Sequence, residues 1–434
     1  MTKEDKLQLA RGVRDFPPEE KIVRNEVVEK LKEVFERYGY SPLETPIIER
    51  LKLLTAKAGA GEEADAAKET FTLTDQGGRK LGLRFELTLS FSRFIGMSPT
   101  LKMPFKRYEL GPVFRDGPVK LGRYRQFWQC DVDVVGSKNM MTDAEIIMLA
   151  LDCFNNLGLD AYLQINNRKL LRGIIESAGI DSKKADSVII TLDKFEKIGK
   201  QGVVEELEDK GIEDLKIGKL LNAMNVKGTD EEKLKELKKI VTNDIGQEGL
   251  KELEEIYSFL NAEQKKNIVF NPTLARGLGY YTGPIFEGYL RKSKITSSIC
   301  GGGRFDKMVS MLINSKQEYP AVGISFGLDV ITDAMKLARK EERKTVTQVY
   351  IIPIGTSKEA LQIALKLRKQ GLNVDLDISG RGVSKNLNFA NSYNIPYVLF
   401  VGEEEIKKKK VKFRDMKTGK EELIKIEDVK KKVK

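Results

Sequence analysis

The stretch from residue 113 to residue 133, VFRDGPVKLGRYRQFWQCDVD, is the most informative part of the chain. Two runs rich in apolar and aromatic residues flank a Gly-Pro turn, which predicts a β-hairpin. Side chains alternate between the faces of a strand, so Arg123 and Arg125 share one face, with Arg115 at the hairpin's entry. Guanidiniums this close repel one another unless an anion lies among them, and their planar forks suit phosphate. A surface ladder of ion pairs fits the same residues equally well.

The same alternation continues beyond the hairpin. It places Phe127, Gln129, Asp131 and Asp133 on one face of the second strand. A series of polar groups along one face of a strand is typical of a pocket wall, so this face is a candidate binding surface. An exposed strand acid remains the alternative interpretation of Asp133.

Composition bounds the class of protein. The chain has 434 residues, of which 41% are hydrophobic and 32% charged, so we expect a soluble protein of two domains. No apolar run approaches the ~20 residues of a membrane helix, and the N-terminus does not resemble a secretory signal. We therefore expect a cytoplasmic protein without membrane association. The net charge of +11 is compatible with a polyanionic partner.

The sequence contains no histidine. This excludes Ser-His and Cys-His nucleophile pairs and every metal site with a histidine ligand. The three scattered cysteines form no Cys-x-x-Cys pair, so neither a disulfide framework nor a zinc site is expected. Chemistry here must depend on arginines, carboxylates and positioning, and we expect no metal site built by the protein.

Periodicity along the chain predicts an α+β organisation. Residues 19–39 have the pattern of an amphipathic helix, and the runs between 69 and 135, including KLGLRFELTL at 80–89, predict strands of an antiparallel sheet. The segment AVGISFGLDVITDAMKLARK at 321–340 predicts a helix. Accordingly, we predict a core at 1–167 and 267–340, a helical insertion at 168–266, a polar linker at 341–348 and a small α/β domain at 349–434.

Two glycine-rich segments complete the set of motifs. ARGLGYYTG at 275–283 places Arg276 and two tyrosines behind glycines, and CGGGRFD at 300–306 allows a close backbone approach. Neither has the spacing of a phosphate loop or a dinucleotide motif.

Taken together and in order, the segments resemble the class II aminoacyl-tRNA synthetases, and specifically the histidyl-tRNA synthetase family. The resemblance covers the whole chain and rests on RGVRDFPPEE, YGYSPLETPIIE, LRFELT, FRDGPVKLGRYRQFWQCDVD, ARGLGYYTG, GGGRFD and AVGISFGLD. It implies an antiparallel sheet flanked by helices, a C-terminal anticodon-binding domain, and a homodimer formed through YGYSPLETPIIE. It also implies that ATP, with Mg2+, activates histidine to histidyl-adenylate, which then reacts with tRNA-His.

The resemblance also implies roles for individual residues. Arg115 and Arg276 would act as catalytic residues on opposite sides of the α-phosphate, with Arg123 near the outer phosphates of ATP. The expected histidine-binding residues are Glu86, Thr88 and Gln129 for the α-amino group, and Asp133, Tyr280 and Tyr281 for the imidazole. The candidates for tRNA contact are Lys120, Arg381 and Lys385.

The chain departs from the family pattern at a few positions. Asp329 and Val330 stand where the third motif usually continues to an arginine that stacks on adenine, Gly279 replaces a usual aspartate, and Phe305 replaces a frequent tyrosine. An altered third motif favours one alternative, a regulatory subunit of ATP phosphoribosyltransferase without ligase activity. An RNA-binding protein without catalysis is a second alternative. The C-terminal domain and Arg276 argue for the ligase.

Overall fold

The computed structural model describes residues 7–56, 69–119, 124–276, 279–338 and 343–433. The chain divides into two compact units. One contains the residues up to 14 and from 26 to 335, and the other contains residues 15–25 and 336–434. Within the described ranges, none of the helices combines the length and apolar character needed to cross a membrane.

An eight-stranded sheet organises the first unit, in the order β1-β5-β6-β11-β10-β9-β7-β8. Its strands are β1 (Ser41–Pro42), β5 (Phe105–Phe114), β6 (Gln126–Val135), β7 (Ala161–Asn167), β8 (Ile268–Phe270), β9 (Pro284–Leu290), β10 (Cys300–Arg304) and β11 (Ala321–Gly327). The strands from β5 to β7 in this order pair antiparallel, and only β1 and β8 at the edges pair parallel. The helices that flank the sheet complete the predicted α+β class.

One face of this sheet is apolar and forms the core. Phe326 of β11 is fully buried, and its ring lies 5.8 Å from that of Phe35 and 6.4 Å from that of Phe154. Phe35 belongs to helix α1 (Pro18–Arg37) and Phe154 to helix α4 (Met140–Leu157). The side chains of Cys130, Cys153 and Cys300 are also buried. Helix α4 starts where Asn139 accepts a hydrogen bond from the backbone N–H of Met141 and ends at Gly158, whose φ of 72° favours glycine.

A small second sheet, in the order β2-β4-β3, precedes the hairpin. It consists of β2 (Ile48–Arg50), β3 (Thr72–Thr74) and β4 (Lys80–Leu83). Helix α2 (Leu51–Leu54) follows β2 in the sequence, and helix α3 (Thr88–Met97) follows β4. The predicted strand at 80–89 is wrong beyond Leu83. The Glu86 carboxylate accepts the N–H of Leu89 at 2.8 Å, so it satisfies a donor at the start of α3.

The predicted helix at 321–340 is also wrong in its first seven residues. Residues 321–327 form β11, and the helix α13 begins only at Leu328 and extends to Ala338. Gly323 allows β11 to lie beside β6, because a Cβ at this position would lie 1.9 Å from Oδ1 of Asp133. The helix α12 (Met308–Leu312) precedes this strand.

Residues from Arg168 to Lys265 are helical except for their connections. The helices are α5 (Arg168–Ser177), α6 (Ala185–Asp193), α7 (Phe195–Asp209), α8 (Asp214–Met224), α9 (Asp230–Ile240), α10 (Asp244–Phe259) and α11 (Ala262–Lys265). At the start of α9, Thr229 and Glu232 form a capping box. The closest packing joins α5 and α10 through Gly173 and Gly246, where a Cβ on Gly173 would lie 2.3 Å from the Gly246 Cα.

The second unit contains a mixed five-stranded sheet in the order β13-β12-β14-β15-β16. Its strands are β12 (Val349–Ile354), β13 (Val374–Leu376), β14 (Tyr397–Gly402), β15 (Lys410–Asp415) and β16 (Glu421–Lys425). Its helices are α14 (Ser357–Lys369), α15 (Val383–Ser392), α16 (Glu403–Lys407) and α17 (Val429–Lys432). One face packs against Ile363 and Leu367 of α14, and the other packs against Ala390 of α15.

The aromatic contacts of Phe326 lead to a stability prediction. We expect Phe326→Ala to lower the free energy of unfolding of the first unit by about 3–5 kcal/mol, because the change leaves a cavity between the sheet and two helices. Urea unfolding followed by circular dichroism measures this. Met311→Ala is the control, since its side chain is 52% exposed. Equal stability of the two variants would contradict the assigned core.

Candidate active site

The second face of the eight-stranded sheet is polar, and the strand register arranges its side chains in rows. Across β5, β6 and β11, one row is formed by Arg107, Asp133 and Gly323, and the next by Glu109, Asp131 and Ser325. The second row continues through Gly301 of β10 to Glu287 of β9. The predicted alternation of Gln129, Asp131 and Asp133 therefore becomes one continuous surface.

Two glycines of this face provide the volume that neighbouring side chains occupy. A Cβ on Gly323 would lie 1.9 Å from Oδ1 of Asp133, and a Cβ on Gly301 would lie 1.9 Å from Nη1 of Arg276. No side chain fits at such distances. The close approach predicted for CGGGRFD is thus an approach of the Arg276 guanidinium to the backbone of β10.

Buried arginine and carboxylate side chains form ion pairs at the β5 end of this face. Nη2 of Arg107 lies 2.7 Å from Oδ2 of Asp133, and its guanidinium lies 4.2 Å from the ring centroid of Phe91. Arg84 donates from Nη1 to Oε1 of Glu109 at 2.8 Å. The Arg107 pair is close, but its angle does not suit a hydrogen bond. Electrostatic attraction therefore holds Asp133 in place.

Burial raises the pKa of the carboxyl groups on this face. Desolvation, followed by the repulsion of Asp133, raises the pKa of Asp131 to about 7. Desolvation raises the pKa of Asp133 to about 6 despite the attraction of Arg107. The pKa of Glu86 also rises to about 7, because desolvation outweighs the hydrogen bond from the Leu89 N–H. The cations near these three carboxyl groups do not compensate for the loss of water, so their pKa values stay above the ordinary range.

Glu86 lies at the junction of the site. Its carboxyl hydrogen-bonds with Thr88, is repelled by Asp131 and is attracted by Arg115. Arg115 donates from Nε to the carbonyl oxygen of Phe85 at 3.2 Å, and its guanidinium lies 5.0 Å from the ring centroid of Phe127. The structure thus brings Arg115, Glu86 and Thr88 together beside the polar face.

Arg276 approaches the same face from the opposite side. Its Nη1 donates to Oε1 of Glu287 at 3.1 Å, and it also hydrogen-bonds with Tyr281. The rings of Tyr280 and Tyr281 are 4.8 Å apart, and Tyr281 interacts electrostatically with Glu86. The charge of Glu86 thus acts on Tyr281 beside Arg276, and the charge of Arg115 acts on Glu86. The φ of Arg276 is 49°, in the left-handed region.

Known proteins are similar to this chain over most of its length. A sequence model of histidyl-tRNA synthetases matches residues 12–331, and a model of an anticodon binding domain matches residues 348–434. Histidine–tRNA ligase 1 of Bacillus cereus is 42% identical over 426 residues, which cover 98% of this chain and 96% of that protein.

The chain belongs to the histidyl-tRNA synthetase family.

Solved structures agree with this membership. A histidyl-tRNA synthetase from Nostoc sp. PCC 7120 is 28% identical with a TM-score of 0.86, covering 98% of this chain and 99% of that one. A Bacillus halodurans C protein described as an ATP phosphoribosyltransferase regulatory subunit/histidyl-tRNA synthetase has a TM-score of 0.75 over 91% of this chain and 98% of that one. Its identity of 22% shows a shared fold alone.

The hairpin that resembles the family's second motif is only partly described. Lys120 and Arg123, for which contacts with tRNA and phosphate were predicted, lie outside the described residues. Arg125 forms an ion pair with Asp116 at 2.9 Å and donates from Nε to the carbonyl oxygen of Gly117 at 3.2 Å. The ion-pair interpretation of the hairpin thus applies to Arg125, whose backbone N–H also donates to the carbonyl oxygen of Gly12 at 2.8 Å.

The segment that resembles the third motif has its own network. Asp329 accepts from Nη2 of Arg14 at 2.7 Å and from the backbone N–H of Trp128 at 3.2 Å. The Arg14 guanidinium lies 4.1 Å from the ring centroid of Tyr124. Asp329 therefore joins the N-terminal segment to the second strand of the hairpin. Val330 is half-buried, and Phe305 packs edge-on against Tyr280 at 6.1 Å.

The candidate tRNA residues of the second unit lie at the start of α15. Arg381 and Lys385 are exposed, and the Arg381 guanidinium lies 4.9 Å from the ring centroid of Phe389. The backbone N–H of Arg381 donates to Asp377 at 2.7 Å. Burial favours a higher pKa for Asp377, but hydrogen bonds from Asn386 and Ser379 outweigh it and hold the pKa at about 2. The turn that presents Arg381 is thus well ordered.

The sequence did not predict several residues that lie on the polar sheet face. Arg107, Glu109 and Glu287 were not identified, and Asp131 was placed only on the pocket wall. A signal did exist, because Arg107 and Glu109 are two residues apart in FKRYELG and Glu287 is the one acid in PIFEGYL. Reading these as pocket residues requires the pairing of β5 with β6 and of β9 with β10.

The raised pKa values lead to a prediction about ligand-free protein. Between about pH 4 and pH 7 the folded state retains protons that the unfolded chain has released, so these carboxyls lower stability as pH rises through that window. We expect Asp131→Asn to increase the free energy of unfolding at pH 8 by an amount on the order of 1–3 kcal/mol, and by less at pH 5. Denaturant titrations without histidine or ATP measure the difference.

The matched control for this prediction is Asp209→Asn, which makes the same chemical change at an exposed residue. Its effect on stability should be small at both pH values. A gain from Asp131→Asn that is equal at pH 5 and pH 8 would mean that ionisation of Asp131 is not the cause.

Proposed function

We propose that the polar sheet face is the active centre of a histidine–tRNA ligase, which activates histidine with ATP and transfers it to tRNA-His. The observation that carries this proposal is the convergence of buried Glu86, Asp131 and Asp133 with Arg115 and Arg276 on one surface. Carboxylates suit the cationic and N–H groups of histidine, and guanidiniums suit phosphate. The family to which the chain belongs, and its relative named histidine–tRNA ligase, support this proposal.

Histidine binds through groups at both of its ends. Glu86 and Thr88, with Gln129, hold the α-amino group, and Asp133, Tyr281 and Tyr280 contact the imidazole. The ion pair with Arg107 keeps the Asp133 carboxylate oriented toward an imidazole N–H. A charge-assisted hydrogen bond of this kind contributes roughly 1.5–3 kcal/mol. A site built for both ring nitrogens rejects apolar amino acids, because its own polar groups would remain unpaired.

ATP binds so that its α-phosphate lies between Arg115 and Arg276. The histidine carboxylate attacks the α-phosphorus in line, the bond to the β-phosphate oxygen breaks, and pyrophosphate leaves. The two guanidiniums stabilise the negative charge that develops, and Glu287 holds Arg276 in place for this role. Arg123 contacts the outer phosphates. Alignment and charge neutralisation accomplish this step without a protein nucleophile, so a chain without histidine can catalyse it.

The second step uses tRNA-His as the acceptor. A terminal ribose hydroxyl attacks the activated carbonyl carbon, AMP leaves and the hydroxyl proton is released. Lys120, which precedes the second hairpin strand in the sequence, contacts the acceptor end in this proposal, and Arg381 and Lys385 contact the anticodon region. The match of residues 348–434 to an anticodon binding domain supports the latter placement.

The remaining features of the proposal concern the assembly. Mg2+ enters with ATP as part of the substrate, because polyphosphates bind it through their oxygens. The chain acts as a cytoplasmic homodimer through the segment YGYSPLETPIIE, where Ile47 and Ile48 are 40% and 49% exposed. Sedimentation equilibrium at a monomeric mass would contradict the dimer. We also propose four functional divisions of the chain. They are the core at 1–167 and 267–340, the insertion at 168–266, the linker at 341–348 and the domain at 349–434.

A regulatory subunit of ATP phosphoribosyltransferase remains the second candidate. It is favoured by Val330, which replaces the stacking arginine of the third motif. The relation of residues 348–434 to an anticodon binding domain and the presence of Arg276 beside Glu287 favour the ligase.

Pyrophosphate exchange tests the proposed function. We expect wild-type protein to incorporate labelled pyrophosphate into ATP only when histidine is present. Gly301→Ala should lower this rate by about 100-fold or more, because a Cβ would displace the Arg276 guanidinium and remove transition-state stabilisation. Gly218→Ala makes the same change in a helix where no atom lies within 4 Å of the new Cβ, so it should exchange at the wild-type rate. A folded wild-type protein that binds ATP but shows no exchange would refute ligase activity.

The second unit leads to a separate prediction. Arg381→Ala should reduce the rate of tRNA-His aminoacylation about 10-fold or more by removing a cation from an exposed turn, while histidine-dependent exchange stays unchanged. Comparing the two assays on the same preparation measures this. The control, Lys417→Ala, removes an exposed cation elsewhere in the unit. An equal loss in both assays would contradict a role confined to tRNA binding.

A further inference from the structure

Three acceptor atoms on β6 have no hydrogen-bond partner within the described ranges. They are Oδ2 of Asp133, Oδ1 of Asp131 and Oε1 of Gln129, all buried. The first lies 2.7 Å from Nη2 of Arg107. The other two belong to Asp131 and Gln129. The two side chains project from the same face of the strand, two residues apart. Asp131 is only 4% exposed, so water does not readily replace a missing donor. Buried acceptors are normally satisfied, so these two atoms indicate that a ligand donates to them.

Ser325 fixes the orientation of both groups. Its hydroxyl oxygen accepts from Nε2 of Gln129 at 3.1 Å, and the same hydroxyl donates to the Asp131 carboxyl. Because the Gln129 amide nitrogen is used in this way, its carbonyl oxygen is left facing the site. Oδ1 of the Asp131 carboxyl has no hydrogen-bond partner.

Glu86 supplies a third acceptor in the same electrostatic neighbourhood. One of its oxygens accepts the Leu89 N–H at 2.8 Å, and its charge is coupled to that of Asp131. The nearest buried guanidinium on these strands, Arg107, is paired with Asp133. The surroundings of Asp131 therefore combine several acceptors with uncompensated negative charge. A compact cation with three N–H donors, a primary ammonium, matches this arrangement.

We propose that Asp131 accepts a hydrogen bond from the α-ammonium group of bound histidine, together with Glu86 and Gln129, and so makes the site specific for a free α-amino group. This inference rests on the proposed function. Asp133, next on the same face, is paired with Arg107 and remains available for the imidazole. The two acids of DVD thereby recognise opposite ends of one substrate.

Two histidine analogues separate the roles of these acids. Histidinol keeps the ammonium and the imidazole, whereas 3-(imidazol-4-yl)propionate keeps the imidazole and the carboxylate but lacks the ammonium. Titration calorimetry on the full chain without ATP measures their affinities. Asp131→Asn should weaken histidinol binding about 10- to 100-fold and leave imidazolepropionate within about 2-fold of wild type. Asp133→Asn should weaken both ligands.

Asparagine has the shape of aspartate, so the Ser325 contact is kept in Asp131→Asn. Ser325→Ala provides a second variant, which frees Gln129 and Asp131 to rotate and should selectively weaken histidinol by a smaller factor. Equal losses of both ligands in Asp131→Asn, or an unchanged affinity for histidinol in both variants, would overturn the assignment. Failure of the proposed function has a different signature, because wild-type protein would then exchange no pyrophosphate whatever its affinity for histidinol. Wild-type protein that binds no histidinol would overturn the assignment of Asp131.

Discussion

The contact between Arg107 and Asp133 lies in the middle of the polar sheet face, with Nη2 2.7 Å from Oδ2. Both groups are buried, and a buried ion pair of this kind rarely stabilises a fold more than apolar residues of similar size would. Its value here is positional, because it prevents rotation of Asp133 in a space that Gly323 leaves open. The acids on β6, the acceptors around Glu86 and the approach of Arg276 are all arranged around this fixed carboxylate.

Stability and function oppose each other on this surface. Glu86, Asp131 and Asp133 have raised pKa values because burial removes water without supplying an equal number of cations. A substrate that carries an ammonium group and N–H donors restores that balance. Under the proposed function, these raised pKa values make the free protein less stable at neutral pH, and binding of histidine would offset the difference.

The sequence predicted which residues of β6 share a face, but it did not predict which residues of other strands lie beside them. Alternation along β6 placed Gln129, Asp131 and Asp133 on one face without any structure, because a strand has only two faces. Partners on other strands could not be found this way, since Glu287 and Arg107 face the site only through register. The strand predicted at 80–89 was wrong where the Glu86 side chain starts α3, because a local side-chain hydrogen bond overrode a β-like pattern. The helix predicted at 321–327 was wrong for the opposite reason, since neighbouring strands impose an extended conformation on small residues.

The glycines of β10 and β11 also limit how the pocket can be redesigned. Gly301 and Gly323 face space already occupied by Arg276 and Asp133, so neither position accepts even a methyl group. Attempts to make such an enzyme charge a bulkier or noncanonical amino acid would have to begin elsewhere, at Tyr280, Tyr281 or Phe305, where aromatic rings can be trimmed without moving a strand. A side chain at Gly301 would displace the Arg276 guanidinium, and one at Gly323 would displace Asp133 and meet the backbone oxygen of Val132.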